Sequence, residues 1–273
     1  MDKNNFSVIF QDGPIGRAFL NYFKLKKYQQ KKIYYLYKKK FLPKKMNLKM
    51  HFNENNYYPL KFIKNKNIYE LCVQIETYFQ FEKNFIQNMY NFDLLDFFKD
   101  QIVYIPNEDV NSDLLFNQIV KSGENTFLNT SNQIYKNILK TNKNFYHIHP
   151  GYLYKVRGAD GTLNSIKHFN EIGASSFLME KKIDKGKILK RFRMNFDKIS
   201  FPNYEEFSSY DLYQIWYSFF DPALRVFLLK KMLDENTNLT SFEKNNLETK
   251  EDRYFSFIEK KEIKDLFKNK IFI

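Results

Sequence analysis

The sequence predicts an α/β fold, a mostly parallel sheet flanked by helices, followed by a short and mainly helical C-terminal extension. Three observations carry this. The chain opens with a strand, a tight turn, a helix and a second strand, an order that requires a helical crossover and so a parallel pair. Further short apolar strands then alternate with segments of helical periodicity. Finally, 43% of the 273 residues are apolar, and 30 Phe, 20 Tyr and 1 Trp supply the bulky rings of a large core.

Residues 7–10 read as a buried strand, Gln11-Asp12-Gly13-Pro14 as a turn and residues 15–20 as the start of an amphipathic helix, with a second strand at 33–37. From 69 to 90, Leu71, Ile75, Tyr78, Phe79, Phe85, Ile86 and Met89 recur at helical spacing and predict one long helix. A third strand follows at 102–105, and Asn111-Ser112-Asp113 offers an N-cap for a helix that Gly123 ends. Next come a short strand at 126–128, a helix near 132–139 and a strand at 145–149. Residues 174–179 and 188–196 read as strands around a tight loop at 183–187. Beyond Pro202 the pattern turns helical: 211–233 is strongly apolar and is interrupted at Asp221-Pro222, where a new helix can begin. Residues 234–250 read as a polar loop, before an aromatic segment at 254–258 and a terminal helix from 261. The division expected is a core domain over 1–200 and an extension over 201–273.

Composition narrows the function classes. No apolar run approaches the roughly 20 residues of a bilayer span, and the N-terminus lacks the apolar stretch of a signal peptide, so a cytoplasmic protein without membrane contact is expected. The single Cys72 excludes an internal disulfide and a multi-cysteine zinc site, and reads as a small buried hydrophobe. The net charge of +13 invites a polyanionic partner. Yet only six of the 44 basic residues are arginine, the residue suited to bidentate phosphate recognition, and the Lys-, Asn- and Phe-rich usage fits compositional drift on solvated surface. Nucleic acid is therefore not the expected partner. The run Lys38-Lys39-Lys40 with Lys44 and Lys45 is the best basic patch.

Chemistry concentrates in residues 145–189. His147 and His149 lie two apart at the end of a strand, so both imidazoles address one face, at the strand end where open α/β sheets bind ligands. A histidine pair without function and a His-x-His metal site are the competing readings, the latter lacking further ligands in the sequence. Asp184, in a glycine-flanked loop, is placed to orient an imidazole or accept a proton, or is simply a turn former.

The stretches His147-Ile148-His149-Pro150-Gly151-Tyr152-Leu153, Arg157-Gly158-Ala159-Asp160-Gly161, Gly173-Ala174-Ser175 and Ile183-Asp184-Lys185-Gly186-Lys187-Ile188 together resemble the folate-dependent formyltransferase family, with its pattern Asn-x-His-Pro, then Arg-Gly, then Asp-x-Gly. The resemblance is close over 145–189 and looser at the opening turn and at residues 109–112. It implies a Rossmann-like formyltransferase fold and transfer of a formyl group from 10-formyltetrahydrofolate, as donor, to an amine, through a tetrahedral adduct bearing an oxyanion. His149 matches the family's catalytic histidine and Asp184 the carboxylate that holds it and helps deprotonate the amine. The folate would lie against Ser131, Asn132 and Ile134 and against Glu180, Lys182 and Ile183, with no metal required. Gly13, Arg17, Tyr152 and Arg157 are the expected acceptor-side residues. The sequence departs from the family at two places: His147 stands where the family has an asparagine, and Tyr154 where it has a proline. A neutral imidazole still donates through one N–H, so His147 can serve in the amide's place.

Among acceptors, the tRNA-acting members carry a C-terminal β-barrel for which residues 203–273 are too few and too helical, and the purine-pathway members use a glycine-rich phosphate loop where this chain has Pro14. A nucleotide-linked or other activated amino sugar is the expected acceptor, with residues 213–227 expected at a homodimer contact. A tRNA acceptor and a binding protein that has lost efficient chemistry are the alternatives.

Overall fold

A computed structural model describes residues 6–38, 59, 62–237, 242–243 and 252–273. Lys39, Lys40, Lys44 and Lys45 of the basic patch, and most of the polar segment 234–250, lie outside the described residues.

The chain builds a seven-stranded sheet in the order β3-β2-β1-β4-β5-β7-β8. Its members are β1 (Ser7–Gln11), β2 (Ile33–Leu36), β3 (Ile102–Ile105), β4 (Thr126–Asn129), β5 (Asn144–His149), β7 (Glu171–Leu178) and β8 (Ile188–Asn195). The five strands from β3 to β5 run parallel, and β7 and β8 continue the sheet antiparallel. Helices cover both faces. Val8 and Phe10 of β1 enter one apolar cluster while Ile9 enters another, which is why this strand reads as an unbroken apolar run.

Helix α1 (Pro14–Leu25) starts with proline in its first turn, where the missing N–H costs nothing. The single helix expected over 69–90 is two: α2 (Lys66–Tyr78) and α3 (Phe85–Met89). Gln80 and Asn84 adopt left-handed conformations between them, and the Glu76 carboxylate in α2 accepts the N–H groups of Asn84 (2.9 Å) and Ile86 (2.8 Å), capping the second helix from the first. Helix α4 (Asp113–Lys121) begins as expected, with Ser112 Oγ accepting from the Leu115 N–H. The helix expected at 132–139 is instead an irregular loop ending in a 3₁₀ turn, Ile138–Thr141. There the Asn111 Oδ1 accepts from the N–H groups of Lys136 and Asn137, and so competes with helical pairing.

After α5 (Gly161–Phe169) and the antiparallel strands, described residues beyond 200 enter the same core, among them Trp216, Leu224, Leu229 and Phe267. Helix α6 (Ser209–Ile215) runs through a π turn, Trp216–Phe220, into α7 (Asp221–Asp234), and the wider turn lets the chain continue past Pro222. Within the segment expected at a subunit contact, Trp216, Phe219, Phe220 and Leu224 are buried in this core, with Trp216 stacked on Phe220 at 3.9 Å between ring centroids, while Tyr213, Tyr217 and Phe227 are half-buried. Two short strands, β6 (Arg157–Gly158) and β9 (Tyr254–Phe255), pair in parallel and tie the tail to the Arg-Gly motif; helix α8 (Lys260–Leu266) follows. Cys72 is buried. Among the described residues no helix is long and apolar enough to cross a membrane.

Candidate active site

The carboxyl ends of β1, β4 and β5 open on a cavity of about 940 Å³, floored by Asn129, His147 and His149. This is the sheet end at which parallel strands leave room for a ligand between their loops. His147 and His149 share one face of β5, where His147 pairs in register with Phe177 and His149 with Ser175 of β7. The Phe177 ring stands edge-on to His147, with ring centroids 5.8 Å apart.

Asp184 comes to this floor from the loop between β7 and β8. Its Oδ2 lies 3.8 Å from His149 Nδ1, and both side chains are almost fully buried. That separation exceeds a hydrogen bond but is short enough for an ion pair once the ring is protonated. The same oxygen accepts the Gly158 N–H at 3.0 Å. Gly158 has φ of +93°, and a Cβ there would come within 2.2 Å of the Phe255 carbonyl oxygen, so the Arg-Gly motif needs its glycine to hold the amide towards Asp184. On the other side of the His149 ring, Nε2 lies 3.1 Å from the Val156 carbonyl oxygen. A carbonyl only accepts, so the neutral ring carries its proton on Nε2 and leaves the Nδ1 lone pair on the Asp184 side.

Both imidazoles are held neutral. Burial pushes the His149 pKa down, Asp184 opposes the shift and Arg225 adds to it. Burial, with Arg225 and His149 nearby, holds His147 well below its usual value. The sign for stability follows. The unfolded histidines take up protons near their ordinary pKa of about 6.5 while the folded ones do not, so stability is complete above that pH and falls as pH drops below it. The expected loss is at most about 1.4 kcal/mol per pH unit for each imidazole. Urea titrations across this range should show it, and His147→Asn should flatten the profile; an unchanged midpoint between neutral and mildly acidic pH would count against neutral, buried rings.

The residues expected on the folate side, Ser131, Asn132, Ile134, Glu180, Lys182 and Ile183, all line the cavity. Ile134 and Ile183 are 52% and 44% exposed, an apolar surface of the kind a flat ring system covers. Of the four residues expected on the acceptor side, only Gly13 lines it. Arg17 is fully buried, donating to Asp12 Oδ1 at 2.6 Å and to the carbonyl oxygens of Met89 and Asn91, and so it ties the first turn to the end of α3. Tyr152 sits beneath the guanidinium groups of Arg191 and Arg193, and Arg157 pairs with Asp252 at 2.5 Å; neither lines the cavity. These three positions are tied to partners within the chain, outside the cavity lining. Tyr154 is buried, donates to the Gly186 carbonyl at 2.9 Å and follows a cis peptide bond.

The extension supplies site residues not anticipated from the sequence. Asp221 of α7 accepts from Arg225 Nε at 2.7 Å and from Thr162 Oγ1 at 2.9 Å, and Arg225 NH1 donates to the Ile148 carbonyl between the two histidines. The hydroxyls of Tyr213 and Tyr217 both donate to Asp160 Oδ1, at 2.7 and 2.8 Å. The signal was present in the i, i+4 spacing of Asp221 and Arg225. Asn129 gave none beyond its place at a strand end. Among the described residues no group of three or more His, Cys, Asp or Glu is placed to hold a metal ion.

No protein-family model and no curated protein matches this chain. Similar solved structures exist. A 4-N formyltransferase from Francisella tularensis is 15% identical, with 93% of this chain and 77% of that one covered and a TM-score of 0.48. A sugar N-formyltransferase from Shewanella sp FDAARGOS_354 is 21% identical, with 70% and 73% covered and a TM-score of 0.40. Methionyl-tRNA formyltransferase from Clostridium thermocellum is 13% identical, with 68% and 67% covered and a TM-score of 0.38.

Proposed function

We propose that this chain transfers a formyl group from 10-formyltetrahydrofolate to the amino group of a nucleotide-linked or other activated amino sugar. One observation carries the reading: an imidazole and a carboxylate from motifs far apart in sequence, His149 and Asp184, meet on the floor of one cavity. The cavity is large enough for a pterin beside a second ligand. The donor fits the residues present, with Ile134 and Ile183 offering apolar cover and Ser131 and Asn132 lining the cavity beside them. When bound, it supplies the activated formyl carbon.

The chain's own residues divide the proton work. The Nε2–H of His149 is spent on Val156, so this ring offers its Nδ1 lone pair to the attacking amine's proton, and Asp184 stabilises the imidazolium that results. His147 supplies an N–H towards the negative charge that develops on the formyl oxygen. On the acceptor side, Tyr254 and Phe257 line the cavity while 61% and 74% exposed, rings on which a nucleotide base can stack.

Incubation with 10-formyltetrahydrofolate and a panel of amino-sugar nucleotides is expected to release tetrahydrofolate with at least one of them. Turnover only on charged initiator tRNA would transfer the choice to that acceptor. Binding without transfer on any acceptor would leave a non-catalytic folate-binding protein.

A further inference from the structure

The residue that stands in for the family's asparagine is an imidazole, and an imidazole donates from only one of its two nitrogens when neutral. Which nitrogen it is decides whether His147 can act as a donor at all, and the surroundings of Asn129 settle it. The Asn129 Oδ1 accepts the Ser131 backbone N–H at 2.7 Å and the Tyr135 hydroxyl at 2.8 Å. Its Nδ2 lies 3.3 Å from the Ser131 carbonyl oxygen. A backbone N–H can only donate and a carbonyl can only accept, so these two groups fix which end of the amide is oxygen. The Nδ2 group is therefore the one that points at His147 Nδ1, 3.1 Å away.

We infer that Asn129 is a positioning residue: its fixed amide donates to His147 Nδ1 and thereby holds the ring in the tautomer that carries its proton on Nε2, turning a histidine into a neutral N–H donor at the cavity floor. The opposite tautomer would set an Nδ1–H against an amide N–H at 3.1 Å, with no acceptor between them. It would gain a bond from Arg225 Nη1 to Nε2, but at 3.5 Å that contact is longer than the 3.1 Å from Asn129, and the same Nη1 also donates to the Ile148 carbonyl. Burial and the Arg225 charge keep the ring neutral, so that it has one proton to place. The catalytic value of this tautomer rests on the formyl-transfer reading; the tautomer itself does not.

The test therefore has two independent arms. In ¹⁵N-labelled protein at neutral pH, with His147 assigned by its loss in His147→Asn, long-range ¹H–¹⁵N correlations should show a bare Nδ1 and a protonated Nε2. Asn129→Asp, which keeps the shape but puts an acceptor where the donor was, should invert the pattern. A protonated Nδ1 in the unaltered protein, or a tautomer indifferent to Asn129→Asp, overturns the inference. In the activity arm, Asn129→Asp should lower kcat by about 10²- to 10³-fold, the usual cost of one lost donor to a developing oxyanion, with KM nearly unchanged. In the His147→Asn background, where there is no tautomer to set, the same change should cost no more than about twofold. Equal losses in both backgrounds would sink the positioning role. Unaltered protein with protonated Nε2 but no formyl transfer would count against the function and not against the tautomer, whereas transfer with protonated Nδ1 would do the reverse.

Discussion

His149→Ala is expected to lower kcat/KM for formyl transfer by about 10²- to 10⁴-fold, the range for loss of a positioned general base. The expected loss belongs to the transition state, because the ring's contacts are with Val156 and Asp184 of its own chain. Asp184→Asn should fall in the same range by a different route: the amide can still accept the Gly158 N–H but cannot stabilise an imidazolium 3.8 Å away. Because the two groups act on one proton, the double variant should be little worse than either single one. Steady-state kinetics on the four proteins decide this. Losses that multiply would mean that the two residues work separately, and full activity in His149→Ala would end the catalytic reading while leaving a binding site intact.

Much of this site was readable before any coordinates, and what was not has a common physical cause. The β5 histidines, the Arg-Gly turn and the Asp184 loop were legible because each is a local motif at a strand end or a glycine-marked turn, where backbone geometry constrains residue choice. Strands β1 to β5 were legible as short apolar runs. The failures arise where a polar side chain captures backbone groups at a distance. Periodicity alone carried residues 69–90 as one helix, since nothing in it reveals that Glu76 will accept two N–H groups beyond its own helix. The helical pattern at 132–139 likewise gave way to Asn111, more than twenty residues upstream, and to Asn129. Arg17, Tyr152 and Arg157, expected on the acceptor side, each have a partner inside the chain that no spacing rule exposes. Across the division expected at residue 200, helix α7 buries its apolar residues against the same core as the strands and brings Arg225 to the histidines.

That dependence makes Asp221→Ala the substitution expected to cost most stability. The Asp221 side chain is 1% exposed and accepts from both Arg225 and Thr162. Its removal strands the Arg225 guanidinium, itself 8% exposed, beside a neutral imidazole with no counter-charge at salt-bridge distance among the described residues. Breaking a buried ion pair from one side costs about 3 to 5 kcal/mol, most of it the penalty of the orphaned charge rather than the worth of the pair. The comparison that isolates this is Asp221→Leu combined with Arg225→Met, which removes both charges while keeping apolar volume and should recover most of the loss. Urea midpoints at constant slope give the numbers. A cost in Asp221→Ala under about 1 kcal/mol would show that water reaches the guanidinium, and with it that the floor beneath His147 is wet. In that case the imidazole would no longer be forced to stay neutral, and once protonated it would donate from both nitrogens, so that the amide of Asn129 would no longer decide which one carries the proton.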